Sequence, residues 1–177
     1  MIKREAARLT QAGADYLFIC SNTGNEAVGR IRNHSIAPII HIADVVGGKA
    51  SEDGYKRLGL LGTIYTMRGK YIKNILENKF ALEVLVPEMT DHKKVNRVIY
   101  EELCRGIISE ESRQQYCDII HKLRTKGAQV VILGCTEIPL LIKPSDADLP
   151  MLNTTELHAI FAAKLALNQV SYDQDNT

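Results

Sequence analysis

Two cysteines occupy equivalent places in two similar stretches of the chain. Residues 13–20 run from a Gly-Ala pair through apolar residues to Cys20, and residues 127–135 run the same way to Cys135. A thiolate is a base and a thiol is an acid, so two such groups on one substrate can move a proton. If one removes a proton from a carbon and the other returns it on the opposite face, that carbon is inverted. The repeat therefore predicts Cys20 and Cys135 as a catalytic pair.

Free cysteines also serve as small buried apolar residues, and this is the alternative interpretation of both thiols. Cys20 and Cys135 each stand at the predicted end of a strand, before a segment that begins a helix. Amide groups at a helix N-terminus lower the pKa of a thiol, which favours the catalytic interpretation. Cys104 and Cys117 lie inside helical patterns instead, and we interpret them as helix-packing residues.

A second echo indicates a repeated α/β unit. Pro38-Ile39-Ile40 follows the first cysteine and Pro150-Met151-Leu152 follows the second. Strands alternate with helices, which predicts an α/β fold with parallel sheets flanked by helices. The predicted strands are 16–20, 38–42, 57–62, 82–86, 129–133 and 150–152. The predicted helices are 5–12, 24–33, 43–53, 66–78, 136–142 and 154–167, with a helical region over 93–126 that breaks near 105–107 and a polar tail over 173–177.

Small polar residues follow several of these strands. Ligands of parallel α/β sheets bind beyond the carboxyl ends of the strands, so these residues are candidates for substrate binding. They are equally suited to capping the next helix, and both interpretations stay open. Glu137 is either an acid that complements a helix dipole or an acceptor for a substrate ammonium group. The candidates are Asn22, Thr23, Thr63, Thr66, Thr136 and Glu137.

Composition and motifs argue against several other functions. The formal net charge is +1 and no long basic run is present, so we expect no nucleic-acid partner. No apolar stretch approaches the roughly 20 residues that span a bilayer, and the N-terminus does not resemble a signal peptide, so we expect a cytoplasmic protein without a membrane partner. The four cysteines form no CxxC pair and the five histidines are scattered, which predicts neither a metal site nor a disulfide framework. The chain contains no phosphate-binding glycine motif, so we expect no nucleotide ligand.

Five motifs follow one another along almost the whole chain. They are Ile19-Cys20-Ser21-Asn22-Thr23, Gly59-Leu60-Leu61-Gly62-Thr63 with Thr66-Met67, Ile99-Tyr100-Glu101-Glu102-Leu103, Leu133-Gly134-Cys135-Thr136-Glu137-Ile138-Pro139, and Asn153-Thr154-Thr155-Glu156-Leu157-His158-Ala159. Their types and order resemble those of the aspartate/glutamate racemase family. The paired cysteines and the Cys-Thr-Glu sequence are specific when they occur together.

The resemblance implies cofactor-independent racemisation of a small acidic amino acid, aspartate or glutamate, by two cysteines. It implies that Asn22 and the threonines hold the carboxylates of the substrate, and that the protein is a homodimer. It also implies two similar α/β halves with the site in the cleft between them. We expect residues 1–53 with 153–177 to form the first half and residues 54–152 the second. Only residues 1–15 precede the first cysteine strand, so we expect the first half to be incomplete.

Two alternatives stay open. One is another reaction of the same superfamily, such as hydantoin racemisation, although a ring substrate would need a roomier and more apolar pocket. The other is a non-catalytic, truncated racemase-like protein. Such a protein would bind an amino acid, or would bind a partner chain through an exposed sheet edge.

Overall fold

The computed structural model describes residues 1–32 and 37–172. The predicted tail 173–177 and the end of the predicted helix 24–33 lie outside the described residues. The strands are β1 (Leu17–Phe18), β2 (Ile39–Ile40), β3 (Arg57–Gly62), β4 (Glu83–Leu85), β5 (Val130–Gly134) and β6 (Met151–Asn153). The α-helices are α1 (Ile2–Gln11), α2 (Val28–Ile31), α3 (Ile42–Glu52), α4 (Ile64–Arg68), α5 (Lys70–Phe80), α6 (Met89–Arg97), α7 (Glu110–Thr125), α8 (Ile138–Leu141) and α9 (Thr154–Ala166).

The strands form two parallel sheets, which confirms the predicted α/β class. One sheet pairs β1 with β2, and the other has the order β4-β3-β5-β6. Leu58 and Ile132 face a core built with α3 and α5, while Leu61 and Leu133 face a second core built with α6 and α7. The central strands β3 and β5 are thus covered on both faces, which explains why they are continuous apolar runs in the sequence.

The repeat seen in the sequence is a repeat in three dimensions. Two residues after the last residue of α1, and likewise of α7, the chain has a glycine with a positive φ, 89° at Gly13 and 97° at Gly127. After each glycine, an alanine N–H donates to a carbonyl in the preceding helix, at 3.1 Å in the first copy and 3.0 Å in the second. Glycine adopts this left-handed conformation without a steric penalty, so the Gly-Ala pair ends each helix and turns the chain into the cysteine strand.

The proline and two apolar residues that follow each cysteine in the sequence also occupy equivalent places in the structure. The N–H of Leu17 in β1 donates to the carbonyl of Pro38 at 2.9 Å, and the N–H of Val131 in β5 donates to the carbonyl of Pro150 at 2.9 Å. Each cysteine strand therefore pairs in parallel with the strand that follows its proline. Because the second strands lead into α3 and α9, both copies share the order helix, cysteine strand, partner strand, helix.

Several element boundaries differ from the prediction. The helix predicted over 66–78 is two helices, α4 and α5, because Gly69 between them is extended and lies close to the carbonyl of Tyr65. The segment after β1 begins as a 3-10 helix over Thr23–Ala27 and becomes α2. The break predicted at 105–107 is confirmed by Gly106, whose φ of 74° ends the helical region. A single π-helical turn, Val98–Glu102, precedes this break.

Candidate active site

The carboxyl ends of the strands carry the predicted polar residues. Thr63 follows β3, Cys135 follows β5, and Asn153 ends β6, all at one edge of the four-stranded sheet. Ligands of parallel sheets bind at this edge, so the residues lie where the sequence places them, and their role in binding stays a prediction. Thr63 and Asn153 also cap helices, since Thr63 accepts a hydrogen bond from the N–H of Thr66 and Asn153 accepts one from that of Thr155.

The loop that carries Cys20 is tied to α3 by one buried amide. The side-chain amide nitrogen of Asn25 donates to the carbonyl groups of Ile19, at 3.1 Å, and Ser21, at 2.8 Å. Its oxygen accepts from the backbone N–H of Ile42 at 3.0 Å. Cys20 therefore lies between two anchored residues, and its side chain is exposed.

A polar cavity of about 210 Å³ lies beyond the strand ends, and both cysteines of the repeat line it. Seven of the eight residues predicted for the site are in its lining, and the exception is Thr66. Thr66 is fully buried behind Thr63, and its hydroxyl accepts a hydrogen bond from Tyr71 at 3.1 Å. The predicted residues in the lining are Cys20, Asn22, Thr23, Thr63, Cys135, Thr136 and Glu137.

The two thiols have different surroundings. Cys135 is buried, and its Sγ donates to Oε2 of Glu137 at 2.8 Å. Burial, and then the hydrogen bond to this carboxylate, raise the pKa of Cys135 to about 12. Cys135 is therefore a thiol at neutral pH and holds a transferable proton.

Glu137 is a carboxylate in the same cavity. Burial opposes its ionisation, but hydrogen bonds from the side chains of Cys135 and Thr136 hold the pKa of Glu137 below its usual value. It therefore places a negative charge beside the Cys135 thiol, at the start of α8.

Asn22 is 6% exposed and has an acceptor to spare. Its amide nitrogen donates to Oγ1 of Thr154 at 2.9 Å, and that hydroxyl donates in turn to the carbonyl of Leu133 at 2.9 Å. This chain of donors fixes the orientation of the amide, and the oxygen Oδ1 of Asn22 has no partner among the described residues. A buried acceptor without a partner is costly, so this oxygen is suited to a ligand that brings an N–H or O–H donor.

The structure corrects the interpretation of Cys104. This cysteine is exposed and lines the polar cavity with Cys20 and Cys135, whereas its neighbour Leu103 packs into the core. The π-helical turn before it contains an extra residue, which rotates the following side chains relative to a regular helical pattern. Cys117, by contrast, is half-buried in α7 and donates to the carbonyl of Asp146, as expected for a packing residue.

A second cavity, of about 150 Å³, adjoins the first. It shares four lining residues with the polar cavity, and the rest of its lining comes from β1, the start of α3 and helix α9. Its remaining walls are mostly apolar, and its one histidine, His158, has a pKa lowered by burial and is therefore neutral at pH 7. The shared residues are Cys20, Ser21, Asn22 and Thr136, and the others are Phe18, Ile42, Thr155, His158, Ala159 and Ala162.

The described residues contain neither a metal-binding cluster nor a membrane-spanning helix. No group of three or more histidine, cysteine, aspartate or glutamate side chains in this part of the chain could hold a metal ion. None of the helices in residues 1–32 and 37–172 is long and apolar enough to cross a membrane.

The protein is thus a parallel α/β protein that places two cysteines of a structural repeat on one polar cavity. The comparison with protein families identifies the family. The chain belongs to the Asp/Glu/Hydantoin racemase family, whose model matches residues 2–162. This result confirms the resemblance seen in the sequence.

Two solved structures show the likeness in three dimensions. A Yersinia pestis protein, provisionally assigned as an Asp/Glu racemase, is 43% identical and superposes with a TM-score of 0.90, covering 94% of this chain and 72% of that one. An aspartate racemase homologue from Pyrococcus horikoshii is 31% identical with a TM-score of 0.85, covering 93% and 72%. Glutamate racemase of Histophilus somni is 26% identical over 138 residues, which are 77% of this chain. The match spans half the length of that enzyme.

Proposed function

We propose that this protein is an amino-acid racemase that uses Cys20 and Cys135 as its acid–base pair and needs no cofactor. The observation that carries the proposal is that both thiols line one polar cavity at equivalent positions of a structural repeat. Two groups in equivalent halves of a repeat can face a bound substrate from opposite sides. This arrangement is what inversion at one carbon requires.

In one direction, the Cys20 thiolate takes the proton from Cα, and the electron pair of the C–H bond stays on the substrate. The Cys135 thiol then gives its proton to the other face of Cα and becomes a thiolate. The high pKa of Cys135 supports this direction, because it keeps that thiol protonated at neutral pH. In the opposite direction, Cys135 removes the proton and Cys20 returns one.

The substrate that the family resemblance predicts is aspartate or glutamate. Hydroxyl groups of Thr23, Thr63 and Thr136 line the cavity and can donate to carboxylates. The free oxygen of Asn22 is an acceptor, so we assign it to the substrate ammonium group rather than to a carboxylate. Glu137 is a second acceptor for that group.

Three wider expectations belong to the same proposal. We infer a cleft between two similar halves, residues 1–53 with 153–177 and residues 54–152, because the polar cavity is lined from both. We also infer a homodimer in the cytoplasm, on the family resemblance alone. Sedimentation at several protein concentrations would test the dimer.

Exchange of the Cα proton for deuterium is the most direct test of the mechanism. The protein is incubated with L-aspartate or L-glutamate in D₂O, and loss of the Cα–H signal is followed by NMR. We expect exchange that Cys20→Ser and Cys135→Ser both abolish. Cys117→Ser is the matched control, because Cys117 lies in α7 outside both cavities, and it should retain exchange. Folded protein that exchanges neither amino acid would contradict the proposal for these substrates.

The alternative is a non-catalytic protein that binds an amino acid or a partner chain. Strand β1 favours it, because β2 is the only strand that pairs with β1 in the described residues, and a cavity of about 800 Å³ lies beside Tyr16 and Phe18. An unpaired strand edge can accept a further strand. This alternative predicts binding or association that neither Cys→Ser substitution changes, together with no exchange.

A further inference from the structure

We propose that the protein also racemises neutral amino acids with aliphatic side chains, and that the apolar cavity beside Cys20 binds the side chain. This inference rests on the proposed two-thiol function and extends it to a further class of substrate. It concerns the cavity of about 150 Å³, not the polar one that holds both thiols.

The apolar cavity adjoins the polar one. Cys20, Ser21, Asn22 and Thr136 belong to both linings, so the cavities meet at these residues. Cys135 lines only the polar cavity. A substrate with its Cα between the two thiols therefore has the apolar cavity next to its Cys20 side, where a side chain can enter.

The lining of the apolar cavity favours an aliphatic side chain over a charged one. Phe18, Ile42, Ala159 and Ala162 present apolar groups, and the described residues around this cavity include no lysine, arginine, aspartate or glutamate. Nε2 of His158 lies 3.2 Å from the carbonyl of Ile40, so its ring has a protein partner. A carboxylate side chain would lose its hydration here without gaining a charged partner, whereas an aliphatic one is favoured by leaving water.

The size of the cavity suits a side chain of a few carbon atoms. In another protein, an apolar cavity of about 150 Å³ binds benzene. The four-carbon side chain of leucine is smaller than benzene and therefore fits. Phe18 and Ala162 line this cavity and also the larger one beside β1. The side chain of methionine has as many non-hydrogen atoms as that of leucine, so it fits as well.

The test compares two alanines of α9. Ala159 lines the apolar cavity and Ala163 does not, and both are exposed. Leucine is a good helix former, so Ala159→Leu and Ala163→Leu should both fold. Exchange of the Cα proton in D₂O is measured for L-leucine, L-methionine and L-aspartate with each variant and with the unmodified chain.

We expect L-leucine and L-methionine to exchange, and both Cys20→Ser and Cys135→Ser to abolish that exchange. Ala159→Leu fills the cavity, so it should lower the ratio of leucine to aspartate exchange at least about tenfold, the effect expected for a misfit of one or more carbon atoms in an apolar pocket. Ala163→Leu should leave the ratio unchanged.

The outcomes separate this inference from the proposed function. Thiol-dependent exchange of aspartate without exchange of leucine or methionine would overturn the inference and leave the proposed function standing. Leucine exchange that Ala159→Leu does not reduce would overturn the assignment of the cavity. If no amino acid exchanges, the two-thiol function fails and the inference fails with it.

Discussion

The thiol of Cys135 donates a hydrogen bond of 2.8 Å to the carboxylate of Glu137, two residues further along the chain. Both side chains line the polar cavity, between the end of β5 and the start of α8. A negative charge beside a thiol opposes formation of the thiolate, so this contact keeps a proton on Cys135. Cys20 is exposed, so the two members of the predicted pair are not equivalent in the free protein.

Replacing Glu137 with glutamine should make Cys135 more reactive towards alkylation. The substitution removes the charge that helps to raise the pKa of this thiol, while the amide keeps nearly the same shape. A fall of one unit in the pKa increases the thiolate fraction at pH 8 about tenfold, and the thiolate is the reactive form. We expect Glu137→Gln to accelerate iodoacetamide labelling of Cys135 by about this factor, as measured by peptide mass spectrometry.

Glu111→Gln is the control for this measurement. Glu111 is an exposed glutamate on α7 that contacts Gln115 and lies outside the cavity lining. Its substitution should leave labelling of Cys135 unchanged, and in every variant the exposed Cys20 should be labelled before the buried Cys135. Equal labelling of Cys135 in the Glu137→Gln variant and the unmodified chain would show that the carboxylate does not control this thiol.

The parts of the site that the sequence predicts are those fixed by local structure. The Gly-Ala turns, the buried strands and the residues that follow them all depend on neighbours close in the chain, so Cys20, Cys135 and Thr63 could be placed at strand ends. Cys104 could not be placed, because a π-helical turn breaks the periodicity on which a helical interpretation depends.

Local sequence patterns also could not predict contacts between residues that are far apart in the chain. Asn22 and Thr154 are 132 residues apart and meet only because β1 and α9 are brought together. The hydrogen bond to Thr154 orients the amide of Asn22, and this orientation leaves its oxygen Oδ1 without a partner among the described residues. The assignment of that oxygen to an ammonium group rather than a carboxylate depends on the same contact. No spacing in the sequence indicates either.

Removing the hydroxyl of Thr154 should leave the amide nitrogen of Asn22 without its hydrogen-bond partner. Thr154 is 1% exposed, and its hydroxyl links the amide of Asn22 to the carbonyl of Leu133. Thr154→Val keeps the shape but leaves both groups without this partner, so the free energy of unfolding should fall by about 1–3 kcal/mol. Thr154→Ser keeps the hydroxyl and should lose less. Denaturant unfolding measures the difference, and a valine variant as stable as the serine variant would refute the linking role.

The same pair of variants tests the role of Asn22 in binding. If its oxygen accepts from the substrate ammonium, Thr154→Val should raise KM in the exchange assay more than Thr154→Ser does. A uniform loss of binding raises KM while kcat changes little. A fall in kcat at constant KM would place the effect on the chemical step instead.

A methyl group at position 134 should disturb the strand end that carries Cys135. A Cβ on Gly134 would lie 2.8 Å from the carbonyl oxygen of Leu61 in β3, and backbone cannot move aside cheaply. We expect Gly134→Ala to lower the free energy of unfolding by about 1–3 kcal/mol. Gly48→Ala is the matched control, because nothing lies within 4 Å of a Cβ at that exposed position in α3. It should instead stabilise the helix by about 0.5–1 kcal/mol, so similar effects at the two glycines would contradict the close approach.

Protonation of His41 should destabilise the protein in mild acid. The ring is 3% exposed, its Nδ1 accepts from the N–H of Ala43 at 3.0 Å, and burial lowers the pKa of His41 to about 4 despite the opposing charge of Asp44. An unfolded histidine titrates near 6.5, so only the unfolded chain gains this proton between pH 6.5 and pH 4, and stability falls over that window. The loss amounts to at most about 3 kcal/mol. His41→Asn retains a capping oxygen without titrating, so its denaturant unfolding at pH 7, 5.5 and 4 should show a shallower decline, and parallel declines would exclude His41 as the cause.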